Sequence, residues 1–273
     1  MKMSTIRRAV GPAAFTSLTA TGLMLLSNSV AAAETTSYNN ACVAGSVIGA
    51  IYKPVSASVI VTGPASVTPG QQFTYRIQPG PASYPDTDSG ATTVQVSRLK
   101  FDFEIPANTT FDEATVVAGT GAGLSGVAPN VLRINTAGNV DPQGTILRLS
   151  GNNEVIANSP TSSKNSDGGI VVPKTKNGDN GATTFQLPAV DVKVTAGDSG
   201  VIEPHVRVAG DAALTDNAQN YYTSLASAKF FGIKQWAPTQ CVPKDGTSKP
   251  ANNAPLNAGG GPLASIQISG STA

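Results

Sequence analysis

The sequence predicts an all-β protein: a single enlarged antiparallel β-sandwich, with a β-barrel as the alternative. Three observations carry this reading. Apolar side chains recur with period two in many short segments, the spacing that sends alternate residues to opposite faces of a sheet. Helical periodicity is almost absent, and the 28 Gly and 19 Pro among 273 residues punctuate the chain every few positions. Two cysteines, Cys42 and Cys241, stand near the two ends of the region that reads as compact, where one bridge would join the first strand to the last.

Residues 1–33 read as an export signal. Lys2, Arg7 and Arg8 precede a mostly apolar stretch from Ala9 to Leu26, and Val30 to Ala33 supply small residues for cleavage after Ala33. Gly11, Pro12, Ser17, Thr19, Thr21 and Gly22 interrupt the apolar stretch, so it is too short for a spanning helix. The pair Arg7-Arg8 also admits twin-arginine export, but Ala9, Val10 and Gly11 fit that pattern poorly and general secretion is favoured. Of the 18 basic residues, three leave with the leader, and 15 remain against 17 acidic ones. The mature chain is then slightly acidic, which excludes a basic nucleic-acid binder, and no later segment is apolar enough to span a membrane.

The domain follows as residues 34–242. Val55, Ala57, Val59 and Val61 alternate with polar neighbours, as do Phe73, Tyr75 and Ile77. In Leu99 to Ile105 every odd position is apolar, while Arg98, Lys100, Asp102 and Glu104 are charged. That pattern predicts one core face and one wet, ion-paired face. Val94 and Val96 have the opposite phase, which predicts a bulge near Ser97. Further strands are expected at 115–117, 131–135, 145–149, 169–172, 183–187, 190–194, 201–208 and 229–236, with a helical turn or two within 212–228. Residues 152–181 read as mobile polar loops around a short Val171-Val172 strand, and 243–273 as a flexible tail with a late strand at 265–268.

The stretch from Gly63 to Ile77, with the turn Pro69-Gly70 and the alternation Phe73, Tyr75, Ile77, is followed by Phe103 to Phe111 with its Ile105-Pro106 turn. Together they resemble the immunoglobulin-like domains of bacterial secreted and cell-surface proteins, over about residues 60–120. The resemblance implies an immunoglobulin-like sandwich serving as a surface module. The chain is about twice the length of one such domain and shows no second copy.

An exported chain with two cysteines predicts the Cys42–Cys241 disulfide, since oxidising compartments favour pairing. Gly121 to Gly126 matches a dinucleotide fingerprint in letters, but the strand-like Val131 to Ile134 follows where the motif needs a helix. His205, the only histidine, would have to be the base of any hydrolytic triad, yet it alternates with Glu203 and Arg207 on a strand. Asp102 and Glu104 form a carboxylate pair, but they share their face with cations. Asp86 and Asp88 resemble the start of a calcium loop, with Asp179 as a further ligand, so a structural Ca²⁺ is the one cofactor to consider. Trp236 reads as a core residue near Cys241, or else as a stacking surface for sugar.

With no catalytic residues assigned, the expected function is non-catalytic: a secreted or cell-envelope protein with a structural role or a surface or extracellular partner, self-association included. A carrier of an apolar ligand, suggested by the many small residues in strands, is the alternative, and a glycoside-type hydrolase the third reading.

Overall fold

The computed structural model describes residues 31–154, 156–175, 181–212, 219–246 and 249–270. The structure is all-β. Strands β1 (Ala31–Ser46) and β2 (Gly49–Pro64) form a long hairpin turning at Val47-Ile48. Next come β3 (Ser66–Val67), β4 (Gln72–Pro79), β5 (Ala82–Pro85), β6 (Thr87–Asp88), β7 (Ala91–Glu104) and β8 (Thr109–Val116). They are followed by β9 (Ser125–Gly126), β10 (Asn130–Ile134), β11 (Ile146–Ser150), β12 (Ile170–Pro173), β13 (Ala182–Phe185) and β14 (Val190–Ala196). The chain then forms β15 (Gly200–Ile202), β16 (His205–Val206), β17 (Tyr222–Phe230), β18 (Ile233–Val242) and β19 (Ile266–Ile268).

One large sheet runs β10-β11-β7-β17-β18-β1-β2-β4-β14-β8, antiparallel at every step. It curls until its edges nearly meet. The guanidinium of Arg133 on β10 lies 4.7 Å from the ring centroid of Phe111 on β8, so a cation–π contact spans the seam. The interior therefore belongs to one rolled sheet, as in the barrel alternative, rather than to two separate ones. Cys42 and Cys241 are register partners on adjacent strands β1 and β18, and they are bonded. Short β19 follows the bridged strands in sequence.

Half of the interior is filled by the alternation visible in sequence. Ile77, Tyr75 and Phe73 face Val190, Val192 and Val194 in register, all buried. Each such side chain contributes about 1.5–3 kcal/mol by leaving water. The expected bulge forms at Arg98-Leu99, where the two residues oppose Ser224 alone, and Arg98 takes a positive φ of 51°.

Several expectations change. β1 has little sequence signature. Tyr222–Phe230 is a strand where a helical turn was expected within 212–228, and residues 213–218 of that stretch lie outside the described residues. The strand expected over 229–236 is the tip of the β17–β18 hairpin, because Phe231 and Gly232 both adopt positive φ and reverse the chain. The strand expected over 201–208 is interrupted at Glu203-Pro204, since proline lacks the donor a ladder needs. Around β12, Glu154, Ile156 and Asn165 are buried, and Asn165 Oδ1 accepts from the Ala157 amide at 3.0 Å, so the polar run there is pinned. The predicted tail is also packed. Leu263, Ala264 and Ile266 are buried, and β19 pairs with β15 and, in parallel, with β3. Apart from Ala31–Ala33 at the start of β1, the expected leader lies outside the described residues.

Candidate functional site

The other half of the rolled sheet is not filled. Register places Ala226 opposite Ala237, Ser224 opposite Thr239 and Ala228 opposite Gln235, and these rows face inward with Ala44 of β1 and Ala57 of β2. Side chains this short do not reach the middle of a barrel. They leave a cavity of about 260 Å³, just below the roughly 300–1,000 Å³ usual for small-molecule sites. Cys42 forms part of its wall. Phe101, Tyr222, Tyr84 and Phe185 line its deep part, with Phe101 and Tyr222 ring centroids 4.8 Å apart.

The mouth lies between hairpin tips, at Val47-Ile48, Ser89 and Phe230, with Trp236 beside it. Trp236 is half-buried there instead of in the core, and the Lys234 ammonium sits 4.3 Å from its ring centroid. Lys53 and Asp88, also at the mouth, form an ion pair.

The face of β7 read as wet is buried instead. Lys100 and Asp102 are completely enclosed, and Arg148 and Arg207 join them. Arg148 donates to both Asp102 oxygens at 2.8 Å, Arg207 Nη1 donates at 3.1 Å, and Lys100 Nζ donates at 3.3 Å. The turn between β10 and β11 and the segment after β16 supply the cover: Gly138 O accepts from Arg148 and Thr136 O from Arg207, while Asn220 O accepts from Lys100. Burial alone would raise the Asp102 pKa, but Lys100, Arg148 and Arg207 outweigh it and hold the carboxyl below its usual range. Burial lowers Lys100 to about 8, with Asp102 opposing and both arginines adding to the shift. A carboxylate held by three cations is a structural knot, so Asp102 and Glu104 do not act as a free pair. Glu104 accepts from the Val208 amide at 3.1 Å. With Arg207 and Thr136 it lines a second, more open hollow of about 500 Å³.

The other predicted positions fall apart from one another. Asp86 pairs with Lys174 at 3.6 Å and Asp88 with Lys53, and Ser89 and Gly90 make the turn into β7. Asp179 lies outside the described residues, among which no group of three or more His, Cys, Asp or Glu gathers as a metal site. His205 is half-exposed in β16, opposite Glu104, while its expected neighbour Arg207 is buried. Gly121 to Gly126 is a loop held by an isolated bridge from Ala122 to Gln186 and ending in the short β9, which pairs with β12. The cavity itself was legible only as a surplus of small strand residues, since its rows come from two hairpins, β1–β2 and β17–β18, that are distant in sequence.

No protein-family model matches the chain, and no curated protein matches it. The immunoglobulin-like resemblance of residues 60–120 thus has no family match behind it. Among solved structures, a protein of Corynebacterium diphtheriae described as membrane anchored aligns at 14% identity with a TM-score of 0.40. The alignment covers 89% of this chain and 38% of that one, so the chain spans well under half of that protein's length. Among the described residues no helix is long and apolar enough to cross a membrane.

Proposed function

We propose that the chain is an exported, non-catalytic protein of the cell envelope or extracellular space that holds an apolar small molecule in the open half of its barrel. The cavity is the observation that carries this reading. It is walled by alanines, serines and aromatic rings, it is open at one end, and its main charged groups, Lys53 and Asp88, neutralise one another at the mouth. Such a lining favours apolar carbon over water. The disulfide supports an oxidising compartment, in keeping with the leader read from residues 1–33.

The test has two arms. Protein isolated without denaturant from its host is extracted with organic solvent and the extract analysed by mass spectrometry. Delipidated protein is then titrated with a fluorescent fatty-acid analogue. Wild type is expected to release an apolar compound and to bind the probe saturably. Ala226→Phe, which puts a ring into the row facing Ala237, is expected to abolish probe binding while keeping the circular dichroism spectrum. Equal binding by wild type and A226F, or none by wild type, would overturn the reading.

A further inference from the structure

The β1–β2, β6–β7 and β17–β18 turns lie at one end of the barrel. Asp88 opposes Ala91 at the β6–β7 turn, Thr92 pairs with Lys229 just below the β17–β18 turn, and Ala44 pairs with Thr239 below the β1–β2 turn. The residues at two of these tips are apolar and uncovered: Ile48 is 66% exposed, Phe231 89% and Ile233 65%, with Val47 also exposed.

The β17–β18 tip is costly as it stands. Phe231 takes φ 49° and Gly232 φ 78°, a turn conformation suited to Asn-Gly and poorly suited to a bulky aromatic. Behind it, Lys229 lies directly opposite Lys234, a like-charge pair that destabilises a ladder. Lys234 pairs with Asp167 at 2.6 Å and Lys53 with Asp88, and among the described residues no acidic side chain pairs with Lys229. Apolar strain at the apex with cationic charge one step behind it suits contact with a surface that is anionic outside and apolar beneath.

We infer that this end of the barrel docks on an anionic phospholipid bilayer, with Phe231, Ile233 and Ile48 entering the interface and Lys229 and Lys234 facing the headgroups. Separate narrow prongs suit a fluid surface that closes around each side chain, whereas a protein partner would need matching pits. Lys229, with which no acidic side chain among the described residues pairs, supplies the attraction to anionic lipid. The inference goes beyond the ligand reading, although the cavity mouth opens at the same end.

The full-length mature protein is sedimented with vesicles of phosphatidylcholine and, separately, of phosphatidylcholine mixed with phosphatidylglycerol. Trp236, the chain's one tryptophan, reports contact by a blue shift and by quenching from brominated lipid. Wild type is expected to pellet with the mixed vesicles and little with the neutral ones. Phe231→Asn, which suits the left-handed turn and so preserves the fold, is expected to weaken partitioning at least about tenfold. Lys229→Gln combined with Lys234→Gln is expected to remove the preference for anionic lipid. The inference is overturned if wild type does not pellet, if F231N pellets as wild type does, or if wild type self-associates without vesicles and F231N abolishes that, marking the tips as a contact with a second copy. Probe uptake by the cavity is measured without vesicles, so failure of either reading is seen independently of the other.

Discussion

Asp102 accepts a two-pronged hydrogen bond from Arg148, Nε to Oδ1 and Nη2 to Oδ2, each at 2.8 Å, with both residues sealed from solvent. Around the same carboxylate stand Arg207 and Lys100, so one anion organises three buried cations. Removing the anion leaves positive charges facing each other without water. Asp102→Ala should therefore cost at least about 3–5 kcal/mol, the usual penalty for breaking a buried ion pair from one side. Lys100→Met should cost far less, since Asp102 keeps both arginines. Urea unfolding of the two variants checks the asymmetry, and equal losses would contradict it.

The same knot sets a pH dependence. Lys100 titrates at about 8 in the fold because burial penalises its charge, against 10.5 for an ordinary lysine. Between those values the unfolded chain binds the extra proton, so stability rises with pH. Above about pH 10 the direction reverses. Burial holds the Tyr38, Tyr75 and Tyr221 hydroxyls above their ordinary 10.0, so they stay protonated in the fold while the same tyrosines ionise in the unfolded chain. Thermal unfolding from pH 7 to 11 should show a maximum in melting temperature near pH 10, and K100M should flatten the rise on its lower side.

The sequence showed much of this fold and little of its cover. Leu99, Phe101 and Phe103 alternate with charges, and that alternation identified β7 and its core face correctly. It could not show that the turn after β10 and the segment after β16 fold over the opposite face, because such cover is a property of topology. A first strand was expected around Cys42, but the extent of β1 was not legible for a different reason: Ala31–Ser46 is rich in Ala, Asn and Thr and carries few of the large β-branched or aromatic residues that advertise a strand. Its place is secured by pairing along the whole of β2 and by the bridge to β18. The pairing of Cys42 with Cys241 was legible because a chain that reads as exported and carries two cysteines leaves one option. Trp236 was misplaced because aromatic scarcity argued for the core, whereas register puts it opposite Ser227, near the β17–β18 turn and beside the cavity mouth.

That disulfide lies where the β1–β18 ladder is only four residue pairs long, Ala41 to Ala44 against Thr239 to Val242. It closes a loop with a sequence separation of 199. Cys42→Ser with Cys241→Ser should lower unfolding free energy by about 2–5 kcal/mol, chiefly by freeing the unfolded chain. Hydrogen exchange should rise first at Ala41 to Ala44, because that short ladder loses its pin. Unchanged exchange there would show that the β1–β2 hairpin alone fixes the seam.

The packed C-terminal segment yields the last prediction. Leu263 is 1% exposed, its amide donates to Pro204 O at 2.9 Å, and Ile266 follows it into the same core as Val67 and Ile202. Just upstream, Gly259 lies against Tyr38 of β1, where an added Cβ would collide with the ring. If the segment were a loose appendage, neither position would matter to folding. Because both are packed, Leu263→Ala should cost about 2–5 kcal/mol through lost burial and the cavity left behind. Gly259→Ala should force Tyr38 from its contact with Tyr221, whose ring centroid lies 6.3 Å away. Near-ultraviolet circular dichroism reports that displacement, since it follows the packing of buried tyrosines, while chemical denaturation gives the L263A cost. Truncation after Asp245 should do more than either substitution, because it strips β19 from β3 and β15 and opens one side of the core to water.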